Sequence, residues 1–219
     1  VSIPGIFPKY QKNDASSKGL GRKEKESRDF FEEELERTFS HLRNVPSIVV
    51  WTLFNEGWGQ FEAVRLTEKL RSLDSSRLID STSGWYDKGV GDFLSRHIYF
   101  SSILRMHSEE KRILSLSEFG GYGLKVPGHT YCEKAFGYKN FKTKEELENA
   151  LKKLYGEVLE GIRKLGLGMS VYTELTDVEE ELNGLLTYDR KVEKVDRGLL
   201  KELNSVLYLE YSKIFKGKC

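Results

Sequence analysis

The chain has 219 residues, enough for one globular domain with a sizeable core. Charged residues make up 32% of it, but the formal net charge is only +1. The composition therefore excludes proteins whose binding to nucleic acid or to a membrane surface depends on a strong charge excess. No apolar run reaches the ~18 residues of a membrane span, so we expect neither nucleic acid nor a membrane as a partner.

The cysteine content indicates a chain without a disulfide framework. The two cysteines are Cys132 and the C-terminal Cys219, and chain ends are usually frayed. This usage favours a cytoplasmic protein. The chain begins with Val1 and has no signal peptide, which indicates a piece of a longer protein. A secreted or periplasmic parent therefore stays open.

The first elements follow from apolar spacing. Residues 1–26 are rich in glycine, proline and polar residues and predict a surface loop. Apolar residues at helical spacing predict a helix over 28–43, with Ser27 as its N-cap. The nearly continuous apolar run at 48–54 predicts a strand that is buried on both faces.

The alternation of helices and strands continues to the end of the chain. A helix is predicted over 61–73, and a helix opened by the capping box of Thr143 and Glu146 is predicted to end at Gly166. A glycine-rich loop is predicted between the strand that ends at 117 and that capping box. Further strands are predicted at 77–81, 97–100, 112–117 and 169–172. A last helix is predicted over 198–215, with Leu200, Leu203, Val206 and Leu207 facing inward.

Strands that alternate with helices predict parallel βα units and the α/β fold class. Five strands are predicted, whereas a complete (β/α)8 TIM barrel has eight strands and about 250 residues. We therefore expect a partial TIM barrel over 27–219, preceded by the loop segment 1–26. A barrel without its first strands has open edges. We expect the chain to self-associate through these edges, or to cover them with 1–26.

Two carboxylates stand at comparable places in this pattern. Glu56, with Asn55 before it, follows the predicted strand 48–54, and Glu118 follows the predicted strand 112–117. Catalytic groups of parallel barrels gather at the C-terminal ends of strands. Retaining cleavage of a glycosidic bond needs two carboxyl groups about 5–5.5 Å apart. We therefore expect both glutamates to face one cleft. Taken alone, Asn55 and Glu56 are equally consistent with polar loop residues.

Longer stretches around both glutamates resemble glycoside hydrolase family 2, which includes β-galactosidases, β-glucuronidases and β-mannosidases. Residues 45–60 read Val-Pro-Ser-Ile-Val-Val-Trp-Thr-Leu-Phe-Asn-Glu-Gly-Trp-Gly-Gln and are similar to the acid/base signature of that family. Residues 117–120, Ser-Glu-Phe-Gly, are similar to its nucleophile motif. Residues 172–179 and 183–189 resemble the end of the barrel in bacterial members.

The resemblance covers about residues 28–196 and implies a retaining exo-β-glycoside hydrolase of the β-galactosidase type. In that reading 48–54 is the fourth barrel strand and 169–173 the eighth. The earlier strands and the preceding β-sandwich domains are absent, so we expect weak or no activity from this chain alone. Glu56 would be the acid/base, Glu118 the nucleophile, and Asn55 the partner of the sugar 2-hydroxyl. No metal or organic cofactor is implied.

Several further residues are candidates for contacting the carbohydrate substrate. The resemblance gives Tyr99 a contact with the nucleophile, and Tyr172 stands where many family members have tryptophan. His97 is predicted to face either the sugar or the core. Glu174 is a third carboxylate at the strand ends and could bind a sugar hydroxyl. The aromatic residues Trp58 and Trp85 could stack on a sugar face, with packing in the core as the alternative.

Other function classes are less consistent with the sequence. A non-catalytic carbohydrate-binding or interaction fragment does not need both glutamates. A metal-dependent hydrolase calls for clustered histidines, which the chain lacks. The acidic run at Asp177 and 179–181 is consistent with a cation site, but we expect a solvated loop because a bare run does not ensure convergent ligands.

Overall fold

The computed structural model of the chain describes residue 14 and residues 22–108, 111–133 and 136–215. Most of the loop predicted over 1–26, with its suggested covering of barrel edges, lies outside the described residues, as does Cys219. The chain forms two compact units. The first comprises the described residues up to Arg96 together with 111–113. The second comprises His97–Ser108 and the chain from Leu114 onward.

The first unit contains two parallel strands and two helices. Helix α1 is Lys25–Leu42, strand β1 is Val50–Asn55, helix α2 is Ala63–Leu73 and strand β2 is Leu78–Ser83. Strands β1 and β2 pair in parallel, with Val50 opposite Leu78 and Asn55 opposite Ser83. The two strands therefore end together, which places Glu56 directly beyond that end. Strand β3, Phe93–Ile98, begins in this unit.

An aromatic cluster forms the core of the first unit. The ring of Phe54 on β1 stacks on Phe31 of α1, with ring centroids 5.2 Å apart, and meets Phe61 edge-on. Phe31 belongs to the apolar stripe that predicted α1. The prediction that the first strand is buried on both faces was wrong, because Thr52 is exposed within β1 and Val49 beside it is 66% exposed.

The start of α1 also differs from the prediction. The helix begins at Lys25, inside the segment predicted as a loop, and its N-cap is Glu24 rather than Ser27. The Ser27 side chain instead accepts a hydrogen bond from the Arg22 guanidinium, 3.1 Å away. Arg28 also donates to the Arg22 carbonyl at 2.7 Å. Ser27 therefore lies inside the first turn of the helix, where its side chain contacts Arg22.

The second unit contains the end of β3 and the remaining elements. They are a 3-10 turn at Ile103–Arg105, strand β4 at Ile113–Gly120, strand β5 at Tyr122–Leu124, strand β6 at Lys139–Phe141, helix α3 at Lys144–Leu165, strand β7 at Met169–Thr173 and helix α4 at Arg197–Phe215. The sheet order is β3, β4, β7. Strands β4 and β7 are parallel, with Gly120 opposite Thr173. Strands β5 and β6 form a separate parallel pair.

Helix α3 was predicted correctly at both ends. Thr143 Oγ1 accepts a hydrogen bond from the Glu146 N–H at 3.2 Å, as in the predicted capping box. Gly166 ends the helix in the left-handed region at φ 69°. Other predictions were wrong. The strand predicted at 97–100 is Phe93–Ile98, so Tyr99 and Phe100 follow it. Strands β5 and β6 lie in the predicted loop, β4 extends through Glu118 to Gly120, and Val206 of α4 is 43% exposed. No helix in the described part of the chain is long and apolar enough to cross a membrane.

Candidate active site

Glu56 follows β1 directly, in the first unit. Its backbone has φ 55°, in the left-handed region that residues other than glycine seldom adopt. The Glu56 N–H donates to the Ser83 carbonyl at the end of β2, at a distance of 2.9 Å. A left-handed residue other than glycine costs about 1 kcal/mol, and such residues cluster at functional sites. The half-buried Glu56 side chain thus projects from a fixed, strained turn.

The turn after Glu56 is packed against a buried tyrosine. Gly57 has φ 74°, and a Cβ at this position would overlap the Tyr86 ring, which is 1% exposed. The amide of Gln60, itself fully buried, donates to the Tyr86 carbonyl at 3.1 Å and to the Asp14 carboxylate at 2.9 Å. Asp14 also accepts from the N–H of Ala63 at the start of α2. The turn carrying Glu56 is therefore anchored on both sides.

Glu118 lies near the end of β4, in the second unit. Two side chains contact the same oxygen atom of its carboxylate. The Tyr99 hydroxyl donates to Glu118 Oε2. The Nδ1 atom of His97 lies 3.2 Å from that oxygen, and the His97 side chain is 1% exposed. His97 belongs to β3 and Tyr99 follows it, so adjacent strands β3 and β4 bring the three groups together. The His97 side chain is thus buried against the Glu118 carboxyl group.

The hydrogen bond to Glu118 also fixes the protonation of Tyr99. Burial, together with this hydrogen bond, raises the pKa of the Tyr99 hydroxyl well above its ordinary value. Tyr99 therefore stays neutral and acts as a donor over the whole physiological range. A donor to the charged form of a carboxyl group favours that form. Through this contact, Tyr99 is such a donor to the Glu118 carboxyl group.

The two glycines after Glu118 admit aromatic rings that larger residues would exclude. A Cβ at Gly120 would overlap the Tyr172 ring, and a Cβ at Gly121 would overlap the Tyr138 ring. Both glycines have positive φ, 100° and 62°. The ring of Tyr138 stacks on that of Tyr99, with centroids 3.8 Å apart and planes within 2° of parallel. The glycine at position 121 thus leaves room for the Tyr138 ring that stacks on Tyr99.

The sequence did not indicate Tyr138. It lies in the stretch predicted as a loop, where its N–H donates to the Gly121 carbonyl at 3.1 Å, next to β6. Nothing in the local pattern distinguishes it from the other aromatic residues of that loop. The glycine pair after Glu118 was the available signal, because adjacent glycines at a strand end often mark a close approach of another group.

Glu174 follows β7 directly and carries an unusual carboxyl group. Its Oε1 atom is buried and has no hydrogen-bond partner among the described residues. Burial raises the pKa of Glu174 to about 7, and the negative charges of Glu181, Asp177 and Glu118 act in the same direction. Glu118 and Glu174 belong to the same unit, and the charge of Glu118 acts on the Glu174 carboxyl group. Glu174 therefore keeps its proton to a higher pH than an ordinary glutamate does.

The acidic run after Glu174 is not the solvated loop that was expected. Asp177 is 3% exposed, and its Oδ1 atom lies 2.5 Å from the Lys194 ammonium. The Lys194 ammonium also donates to the Leu182 carbonyl at 3.1 Å. Only the side chains of residues 179 and 180 match the expectation of exposure. A buried ion pair therefore organises this loop.

The remaining candidates lie in different surroundings. Asn55 and Trp58 are exposed, Trp58 at 58%, whereas Trp85 is half-buried. The Tyr172 ring packs edge-on against Phe119, with centroids 5.6 Å apart. Tyr172 thus fills space beside β4, and burial raises the pKa of its hydroxyl.

Comparisons with known proteins agree with this architecture. Residues 7–117 match the model of the family described as glycosyl hydrolases family 2, TIM barrel domain. The chain is similar in structure to Faecalibacterium prausnitzii β-glucuronidase, with a TM-score of 0.55 and 16% identity. The match covers 83% of this chain and 35% of that one, so the chain spans about a third of the length of that protein. Comparison with curated protein sequences found no significant match. The predicted α/β class and partial TIM barrel are confirmed.

Proposed function

Because the chain belongs to glycoside hydrolase family 2, we propose that it carries the catalytic residues of a retaining exo-β-glycoside hydrolase acting on a carbohydrate substrate. The observation that supports this best is the environment of Glu118, whose Oε2 atom faces the Tyr99 hydroxyl and His97 Nδ1. A carboxylate held by a neutral donor at the end of a barrel strand is suited to act as a nucleophile.

In the first step Glu118 would attack the anomeric carbon. The bond from that carbon to the leaving oxygen breaks, and Glu56 gives its proton to the departing oxygen. The product is a sugar ester of Glu118, with the anomeric configuration inverted. The fixed left-handed turn at Glu56 is consistent with this role, because an acid must be held in one direction relative to the leaving oxygen.

In the second step a water molecule would attack the same carbon. Glu56, now a carboxylate, takes a proton from the water, and the ester bond to Glu118 breaks. The second inversion restores the original configuration. Asn55 would hold the sugar 2-hydroxyl, with Trp58, Trp85 and Tyr172 as further contacts. These roles need no metal or organic cofactor.

Leaving-group dependence tests this assignment. In the protein at its natural full length, Glu118→Gln should abolish turnover of every aryl β-glycoside. Glu56→Gln should spare the first step on substrates with activated leaving groups, since these need little protonation to depart. Azide should then attack the sugar ester of the Glu56 variant and release a glycosyl azide. Equal losses on activated and unactivated substrates would refute the roles.

A further inference from the structure

Tyr138 places a second aromatic ring beside the pair of Tyr99 and Glu118. Its ring lies parallel to that of Tyr99, with centroids 3.8 Å apart and planes that differ by 2°. The Tyr99 hydroxyl in turn donates a hydrogen bond to Glu118 Oε2. All three residues belong to the second unit. A chain of direct contacts therefore leads from the Tyr138 ring to the proposed nucleophile.

The backbone around Tyr138 is tied to its neighbours on both sides. The Tyr138 N–H donates to the Gly121 carbonyl at 3.1 Å, and strand β6, which pairs with β5, begins at the next residue. Two residues earlier, the Phe136 N–H donates to the Glu180 carbonyl at 2.7 Å, and the Phe136 carbonyl accepts from the Leu182 N–H at 2.9 Å. The segment that carries the Tyr138 ring is therefore fixed relative to the strands of the unit.

Further groups surround the Tyr138 ring. Phe136 meets it edge-on with centroids 5.3 Å apart, and Phe100 does so at 5.4 Å. Gly121 lies at the edge of both stacked rings, since a Cβ there would come within 2.3 Å of the Tyr138 ring and 3.0 Å of the Tyr99 ring. The ring of Tyr138 is thus packed on its stacked face and against two other rings, and it offers Tyr99 a fixed surface.

Tyr99 depends on such a surface because of its place in the chain. It follows β3, so it lies beyond the strand that carries His97. A tyrosine turns about its χ1 and χ2 bonds, and its hydroxyl is at the far end of the side chain. A small rotation therefore moves the hydroxyl away from Glu118, and a hydrogen bond weakens steeply as it bends. The flat Tyr138 ring blocks rotation of Tyr99 toward its side.

We propose that Tyr138 is a positioning residue, whose ring holds the Tyr99 hydroxyl on the Glu118 carboxyl group during the reaction. The inference rests on the proposed function and adds to it a residue that acts through Tyr99. The ring of Tyr138 carries this role, and its hydroxyl does not. Tyr138 should therefore matter for the chemical step as long as Tyr99 keeps its own hydroxyl.

A double-mutant cycle separates positioning from general packing. We would use the protein at its natural full length and whichever 4-nitrophenyl β-galactoside, β-glucoside, β-mannoside or β-glucuronide it hydrolyses fastest. Single turnovers with enzyme in excess give the rate constant of the first step and the substrate dissociation constant. Tyr138→Leu and Tyr138→Met, which both remove the ring, should slow the first step by about tenfold and leave the dissociation constant nearly unchanged. In the Tyr99→Phe background the same changes should slow it by less than about twofold.

Two further variants serve as controls. Tyr138→Phe keeps the ring and should retain the wild-type rate constant within about twofold. Tyr131→Leu is the matched control, because Tyr131 is 60% exposed in the same predicted loop and its ring packs against Tyr188. It should change neither constant.

The possible failures are distinguishable. Unchanged rates in Tyr138→Leu and Tyr138→Met, with normal circular dichroism spectra, would overturn the inference and leave the proposed function intact. The same holds for equal losses with and without the Tyr99 hydroxyl, and for a loss in Tyr138→Phe as large as in Tyr138→Leu. Full turnover by Glu118→Gln, or hydrolysis of none of the four glycosides by the wild type, would refute the proposed function and the inference with it.

Discussion

The hydroxyl of Tyr99 donates a hydrogen bond to Oε2 of Glu118, and Tyr99 is held for this by the parallel stack of its ring on Tyr138. The contact joins the residue after β3 to the end of β4. It orients a carboxyl group at a strand end, where barrels bind their substrates.

Tyr99→Phe removes this hydrogen bond and keeps the ring stack on Tyr138. A hydrogen bond to a charged group contributes about 1.5–3 kcal/mol, so kcat/KM should fall by roughly 10- to 150-fold in the full-length protein. Tyr208→Phe, at a tyrosine that is 72% exposed, is the control. Full activity of the Tyr99 variant would contradict the role of this contact.

Gly121→Ala tests whether the close approach of the tyrosine rings requires a glycine. The substitution adds left-handed strain of about 1 kcal/mol and a clash with the Tyr138 ring. Gly128→Ala adds similar strain at φ 80° but meets nothing within 4 Å. Chemical denaturation should therefore show a larger loss of unfolding free energy for Gly121→Ala, with an additional loss of activity. Equal losses in the two variants would show that the rings adapt without cost.

The sequence predicted the parts of the fold that depend on local pattern. Helix α3 has both a capping box and a terminal glycine, and these local signals gave its ends correctly. Glu56 and Glu118 were selected as candidates because each follows or ends an apolar run. The stack of Tyr138 on Tyr99 and the ion pair of Asp177 and Lys194 could not be predicted, because each joins residues distant in sequence. Long-range contacts of this kind leave no periodic trace.

Glu174 should make the stability of the chain depend on pH. Its pKa rises from an ordinary 4.5 to about 7 in the folded protein. The folded state therefore binds this proton more tightly, which stabilises the fold at low pH, and the contribution is lost as the pH rises through about 7. Between pH 4.5 and about 7 the wild type should lose stability that Glu174→Gln does not lose. The melting temperature of the variant should therefore rise relative to that of the wild type as the pH increases. For Glu180→Gln, the difference in melting temperature from the wild type should not change with pH. A difference that is equally independent of pH for Glu174→Gln would contradict the assignment.

We propose that the 219-residue chain self-associates. Among the described residues, β1 pairs along one edge only, with β2, and β7 pairs only with β4. Val49 and Val171 beside or within these strands are 66% and 47% exposed. Unpaired strand edges with apolar side chains favour association. Sedimentation velocity should show dimers or larger species, reduced by Val49→Lys together with Val171→Lys. The isolated chain should hydrolyse aryl glycosides poorly, and a fully active monomer would contradict the proposal.

The identity of the nucleophile can be measured directly by trapping the sugar ester. A 2-deoxy-2-fluoro β-glycoside slows both chemical steps, and an activated leaving group restores the first, so the glycosyl-enzyme accumulates. After incubation of the full-length protein, peptide mass spectrometry should find one fluorosugar on the peptide that contains Glu118, and none in Glu118→Gln. A label on any other residue, or rapid substrate turnover without a label, would contradict the assignment of Glu118 as the nucleophile.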